Sequence, residues 1–192
     1  MLVGTNFVRE LLNNVKAKSS VDGELMYCTA HDLVNGSEPT PTEWKHLLSL
    51  NLADSSSEGV LPGFVLLYVG MPVILRNQNI STKLGIRKIF TKSCANNYSL
   101  AKCVIVEFPD SNVEIPDLPA HHFPLVPIMW KFTTVITDLA EGKHNIHVSR
   151  SQLNLQPTFA ITGHAAQGKT LPQVLVDLRE GGFAAYVSAS RA

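Results

Sequence analysis

Apolar and polar positions alternate with two different periods along the chain. Residues 1–4 read as the end of a buried strand. Thr5 or Asn6 then offers an N-cap, because a side-chain oxygen there can accept from the first free helical N–H groups. Phe7, Val8, Leu11, Leu12 and Val15 follow at helical spacing and predict a helix with that apolar face. Residues 25–28 predict a second strand. Thr40-Pro41-Thr42-Glu43 is a capping box with proline at the first helical position, and Trp44, Leu47 and Leu48 supply that helix's apolar face. Residues 54–58 form a polar loop. Residues 64–69, 72–75, 103–108 and 131–137 are strand-like. Prolines 109, 116, 119, 124 and 127 predict an irregular connector before the last of these. Residues 158–162 and 174–178 predict two more apolar strands, and Phe183, Tyr186 and Val187 begin an Ala-rich helix. Strands crowd the middle and helices flank it. The pattern predicts an α/β lobe built from 1–64 and 141–192, with a small β insertion over 65–140. A strand at residue 1 and a helix cut at Ala192 suggest a chain truncated at both ends.

Composition narrows this without changing it. The chain has 192 residues, 45% hydrophobic and 17% charged, which fits a folded domain with a buried core and excludes disorder. Sixteen basic residues balance sixteen acidic ones, but unevenly. Residues 70–110 carry six basic and two acidic side chains, and no acid stands between Glu58 and Glu107. Any anion-binding surface is therefore expected to draw on Arg76, Lys83, Arg87, Lys88, Lys92 and Lys102. The same run reads equally as a solvated hairpin face. Cys28, Cys94 and Cys103 form no C-x-x-C pair, which suits a reducing, intracellular setting. The uncharged run over 59–75 is broken by Pro62, Gly63, Gly70 and Pro72, so it reads as buried strands and turns and no membrane span is expected.

Gly163-His-Ala-Ala-Gln-Gly168-Lys169-Thr170 matches the phosphate-loop pattern G-x-x-x-x-G-K-[ST]. Such a loop presents backbone N–H groups to phosphates at the start of a helix. Here Pro172 comes two residues after Thr170 and a strand is expected by Val174. No helix of useful length fits between them. His144-x-x-His147 and His121-His122 lack a cysteine or carboxylate at ligand spacing, and read as loop histidines. Trp44 and Trp130 read as core.

The stretches TFAITGHAAQGKTLPQVLVDL and GGFAAYVSASRA resemble the last two motifs of superfamily-one DNA helicases of the Pif and RecD kind. The matching residues are Thr162, His164, Gln167, Gly168, Thr170, Leu171, Val174, Val176, Asp177, Leu178, Tyr186, Val187, Ser190 and Arg191. VGTNFVRELLN and VGMPVILRNQN are similar to earlier family segments. HHFPL and HAAQGKTL resemble the Helitron and fungal Pif-like branch. One departure stands out: the N-G-x-x-G hairpin usual after L-R-N is missing from 84–102.

The resemblance implies a second RecA-like helicase lobe, a parallel sheet with flanking helices, carrying a small β-barrel insertion. Its partners would be single-stranded DNA and a first RecA-like lobe in cis, and its cofactors ATP and Mg²⁺. The phosphate loop and the Mg²⁺ carboxylate belong to the first lobe, so this chain alone is expected to hydrolyse ATP poorly. Arg191 would be an arginine finger, suited because its guanidinium fork matches phosphate oxygens and stays charged. Gln167, Gly168 and Arg9 would line the nucleotide side. Thr162 and His164 would meet the DNA backbone, with Arg76, Lys83, Arg87 and Lys88 adding contacts on the barrel. Competing readings are a non-catalytic nucleic-acid-binding relic of a transposon helicase, and a small NTPase using 163–170.

Overall fold

The structure is a computed structural model that describes residues 1–3, 5–50, 61–76, 84–94, 98–138, 142–162 and 190. Two short strands close its frame. β1 (Leu2–Val3) pairs in parallel with β12 (Ile161–Thr162), in the register Leu2↔Ile161 and Val3↔Thr162. Leu2 and Val3 are buried. The Met1 amino group donates to the Phe159 carbonyl (3.0 Å), and Ile161 N–H donates to the Met1 carbonyl (3.0 Å). The first and last described strands are thus neighbours, with all the other described strands between them in sequence.

α1 (Asn6–Ser19) starts as expected. Thr5 is its N-cap, its side chain accepting from Val8 N–H at 3.3 Å, and Lys16 and Lys18 sit in the last turn, where cations suit the helix dipole. The buried face differs from the expected one. Asn13 and Ala17 are buried, while Phe7, Leu11 and Val15 are 52%, 53% and 54% exposed. Polar anchoring overrides the apolar stripe: Asn13 Nδ2 donates to the Ala160 carbonyl (3.1 Å) and its Oδ1 accepts from Ala160 N–H (2.7 Å). These two bonds dock α1 against the segment entering β12.

Most pairings between the described strands are antiparallel. One sheet has the order β11 (Leu155–Pro157), β5 (Pro72–Leu75), β6 (Leu84–Ser93), β7 (Ser99–Glu107), β2 (Met26–Thr29), β4 (Phe64–Leu67), with β8 (His122–Leu125) also on β7. β2 and β7 are the parallel neighbours within it. The β6–β7 ladder shifts register between Ile86 and Lys88 and between Phe90 and Thr91, and such bulges bend a strand and raise its twist. The second sheet is β3 (His31–Val34), β10 (Gly142–Gln152) and β9 (Ile128–Asp138), the last two paired over 11 positions. α2 (Pro41–Ser49) carries the expected capping box at Thr40 and Glu43. The main core joins Cys28, Leu67, Met71, Val73, Ile86, Val104 and Leu153. A smaller one gathers Leu47, Ile146 and Val148.

The sheets run across positions 64/65 and 140/141: β2 and β11 belong to the same sheet as β5–β7, and β10 pairs with β9. Composition marks where strands are dense, but pairing decides which strands share a sheet. Three strand expectations need correction: β7 and β9 are longer than expected, at nine and eleven residues, and β6, of ten residues, was not expected as a strand. Finally, β10 was not expected at all, and it places His144 and His147 on a strand rather than a loop. Its inward row is His144, Ile146, Val148, Arg150 and Gln152, so the alternation is hidden by buried polar residues.

Candidate functional site

The N-terminal end of α1 meets the 72–76 and 154–157 segments through charge. Glu10 Oε1 accepts from Arg9 Nη2 (2.8 Å) and from Arg76 Nη2 (2.6 Å). Arg76 Nε donates to the Leu155 carbonyl (3.3 Å), Arg76 N–H to the Asn154 carbonyl (3.0 Å), and Asn154 Nδ2 to the Arg76 carbonyl (2.9 Å). Arg9 Nη1 donates to Asn6 Oδ1 (2.7 Å), and Arg9 Nε is buried with no hydrogen-bond partner among the described residues. The Arg9 and Arg76 side chains are only 12% and 14% exposed. Burial lowers the Arg9 pKa. Burial pushes the Glu10 carboxyl up, but Arg76 and Arg9 outweigh it and hold the group below its ordinary value. Among the described residues two guanidiniums share one carboxylate, beside a helix N-terminus that has no acidic residue in its first turn.

Sequence reasoning assigned Arg9 and Arg76 to different ligands, and the structure brings them together on Glu10. Thr162 lies on β12 opposite Val3 and is half-buried. On the outer sheet, Arg87 Nε donates to Glu107 Oε2 (3.0 Å), and Arg87 Nη2 pairs with the same oxygen. That hydrogen bond holds the Glu107 carboxyl below its ordinary range. The Lys88 ammonium sits 4.9 Å from the centre of the Phe90 ring. Lys83, the 163–170 stretch with His164, Gln167 and Gly168, the 174–178 strand, and Arg191 lie outside the described residues.

One charged site went unnoticed in the sequence. Arg150 is fully buried and holds Asp32 with both arms, Nε to Oδ1 at 2.8 Å and Nη2 to Oδ2 at 2.7 Å. Its Nη2 also donates to the Leu47 carbonyl (3.0 Å) and its Nη1 to the Leu61 carbonyl (3.2 Å). The guanidinium lies 5.2 Å from the Phe132 ring centre. Gly63 makes room for this: a Cβ there would meet the Leu47 carbonyl oxygen at 3.0 Å. The arrangement ties β10, β3, the end of α2 and the 61–63 segment into one unit. The missed signal is pairing itself, since Asp32 and Arg150 are direct cross-strand partners 118 positions apart. Among the described residues no three His, Cys, Asp or Glu side chains come together as a metal site, and no helix is long and apolar enough to cross a membrane.

These features define a mixed α/β fold: a parallel pair framing a curled, largely antiparallel sheet. No protein-family model matches the sequence, and a search of curated proteins finds no match. Solved structures do match it. The chain is similar to the Pif1 helicase from Candida albicans, with 20% identity and a TM-score of 0.57 over 99% of this chain and 41% of that one. It is similar to Bacteroides Pif1 bound to ssDNA, at 17% identity and a TM-score of 0.55 over 99% of this chain and 37% of that one. It also resembles Bacteroides Pif1 in complex with ADP-AlF3 and ssDNA, at 18% identity and a TM-score of 0.51, with coverages of 99% and 37%. The fold is therefore that of part of a Pif1 helicase, and the chain spans about two fifths of the length of the helicase structures it matches.

Proposed function

We propose that this chain is the second motor lobe, with its barrel insertion, of an ATP-dependent DNA helicase of the Pif kind, in the Helitron and fungal Pif-like branch. The observation that carries the reading is the likeness to Pif1 helicases along 99% of the chain. The T-x-H-x-x-Q-G-x-T-L and Y-V-x-x-S-R wording at 162–171 and 186–191 supports it independently. Two of the similar helicases hold ssDNA, one of them with ADP-AlF3, so single-stranded DNA and ATP are the proposed ligands. Arg191 acts as the arginine finger; Gln167 and Gly168 approach the nucleotide; Thr162 and His164 hold the DNA backbone. Arg9 fits an anion, because its Nε is buried with no hydrogen-bond partner among the described residues. Mg²⁺ would accompany the ATP in the complete two-lobed enzyme. The phosphate loop and the metal carboxylate come from a first lobe, and Pro172 opposes a working phosphate loop at 163–170.

Calorimetry of Mg-ATP with the 192-residue chain, Lys169→Ala and Arg191→Ala tests this. Binding is expected to be millimolar or weaker and indifferent to Lys169→Ala. Micromolar binding abolished by Lys169→Ala overturns the reading in favour of a phosphate-loop NTPase. Fused behind a phosphate-loop lobe from Bacteroides Pif1, the chain should support DNA-stimulated hydrolysis, with Arg191→Ala lowering kcat about 10³-fold or more.

A further inference from the structure

The outer face of the β6–β7 ladder carries an anomaly. Phe90 is 42% exposed in the middle of a ten-residue strand. Large aromatic side chains normally supply core area, and the inward positions beside it, Ile86, Val104 and Val106, are fully buried. The ladder explains why Phe90 points away. Ile89 pairs with Val104 on the core side, so Phe90, paired with Cys103, faces outward. Lys88, paired with Ile105, and Lys92, paired with Leu100, flank it on the same strand. The register shift at Phe90/Thr91 leaves Lys102 as an extra residue on β7, exposed beside them. The shift at Ile86/Lys88 does the same to Arg87, which pairs with Glu107. The result is an exposed ring set among three lysines, with the Lys88 ammonium already over it.

We propose that Phe90, Lys88, Lys92 and Lys102 form a platform for single-stranded DNA, a base stacking on the Phe90 ring while the three ammonium groups take phosphates. The inference rests on the proposal that DNA is the partner, and it moves the barrel's contact away from Arg76 and Arg87, which are occupied by Glu10 and Glu107. A single strand is the fitting occupant, because a ring face can only meet a base that has left its stack. The positive charge suits the phosphates on either side, and residues 59–106, which supply the ring and the lysines, contain no acid. When a base arrives, the flexible Lys88 arm swings from the ring to the phosphate beside it.

Fluorescence anisotropy with the 192-residue chain and a labelled oligo-dT of about 15 nucleotides tests the platform. Phe90→Ala should weaken binding about tenfold or more, with the melting curve unchanged because the ring is exposed. Phe90→Trp should bind like the parent, and its emission should be quenched by the oligonucleotide. The double variant Lys92→Gln with Lys102→Gln should flatten the slope of log affinity against log salt by about 1.4. Parent-like affinity and salt slope in both the Phe90→Ala and the double-lysine variants overturn the platform alone. Failure of the parent chain to bind any single strand overturns the DNA reading with it.

Discussion

Arg150 brings a full charge into the protein interior, where an unpaired ion is very costly. Four hydrogen bonds and an aromatic face answer it: two to Asp32, one each to the Leu47 and Leu61 carbonyls, and the Phe132 ring. Removing one partner should hurt more than removing both. Asp32→Ala is expected to destabilise the fold by about 3–5 kcal/mol in urea unfolding. Asp32→Leu combined with Arg150→Met should recover much of that loss, since neither charge remains buried; equal losses in the single and double variants would contradict this account. Glu10 makes the opposite case, a carboxylate whose folded pKa is depressed by two guanidiniums. Its contribution is fully present above the unfolded value of about 4.3 and is lost as pH falls through the lower folded value. Acid unfolding monitored by circular dichroism should therefore show a loss of stability below about pH 4 that shrinks in Glu10→Gln.

At the scale of elements, local signals and long-range partners divide the outcome. α2 is written in adjacent residues: Thr40 and Glu43 satisfy each other's backbone N–H groups, and Pro41 starts the helix. Thr40→Ala should cost about 1 kcal/mol, readable as a drop in urea midpoint at constant slope. β5 was legible for the same reason, a short apolar run bounded by turns, and its bounds agree with the sequence reading at Pro72–Leu75. β10 was not legible, because Arg150 and Gln152 stand where apolar residues would mark the inward row. α1 was legible as a helix but not as to its buried side. Nothing local announces that Asn13 will find the Ala160 backbone 147 residues away.

For the whole molecule, the sequence motifs pointed to the helicase likeness that the fold supports, while the placement of charges had to come from the structure. Arg76 and Arg87 stand in a basic run, and only three-dimensional pairing reveals that Glu10 and Glu107 already hold them. Phe90 gave no signal in the sequence, since exposure on a strand depends on register, and register here depends on two bulges. The frame around all of this is the pair β1 and β12, the first and last described strands, which lie side by side in parallel. That geometry sets a load path. Tension applied at Met1 and at Thr162 pulls the two strands in opposite directions along their length, so it shears their direct contact and crosses from one to the other within a few ångströms. The curled sheet lies between the two strands in sequence, outside that direct contact.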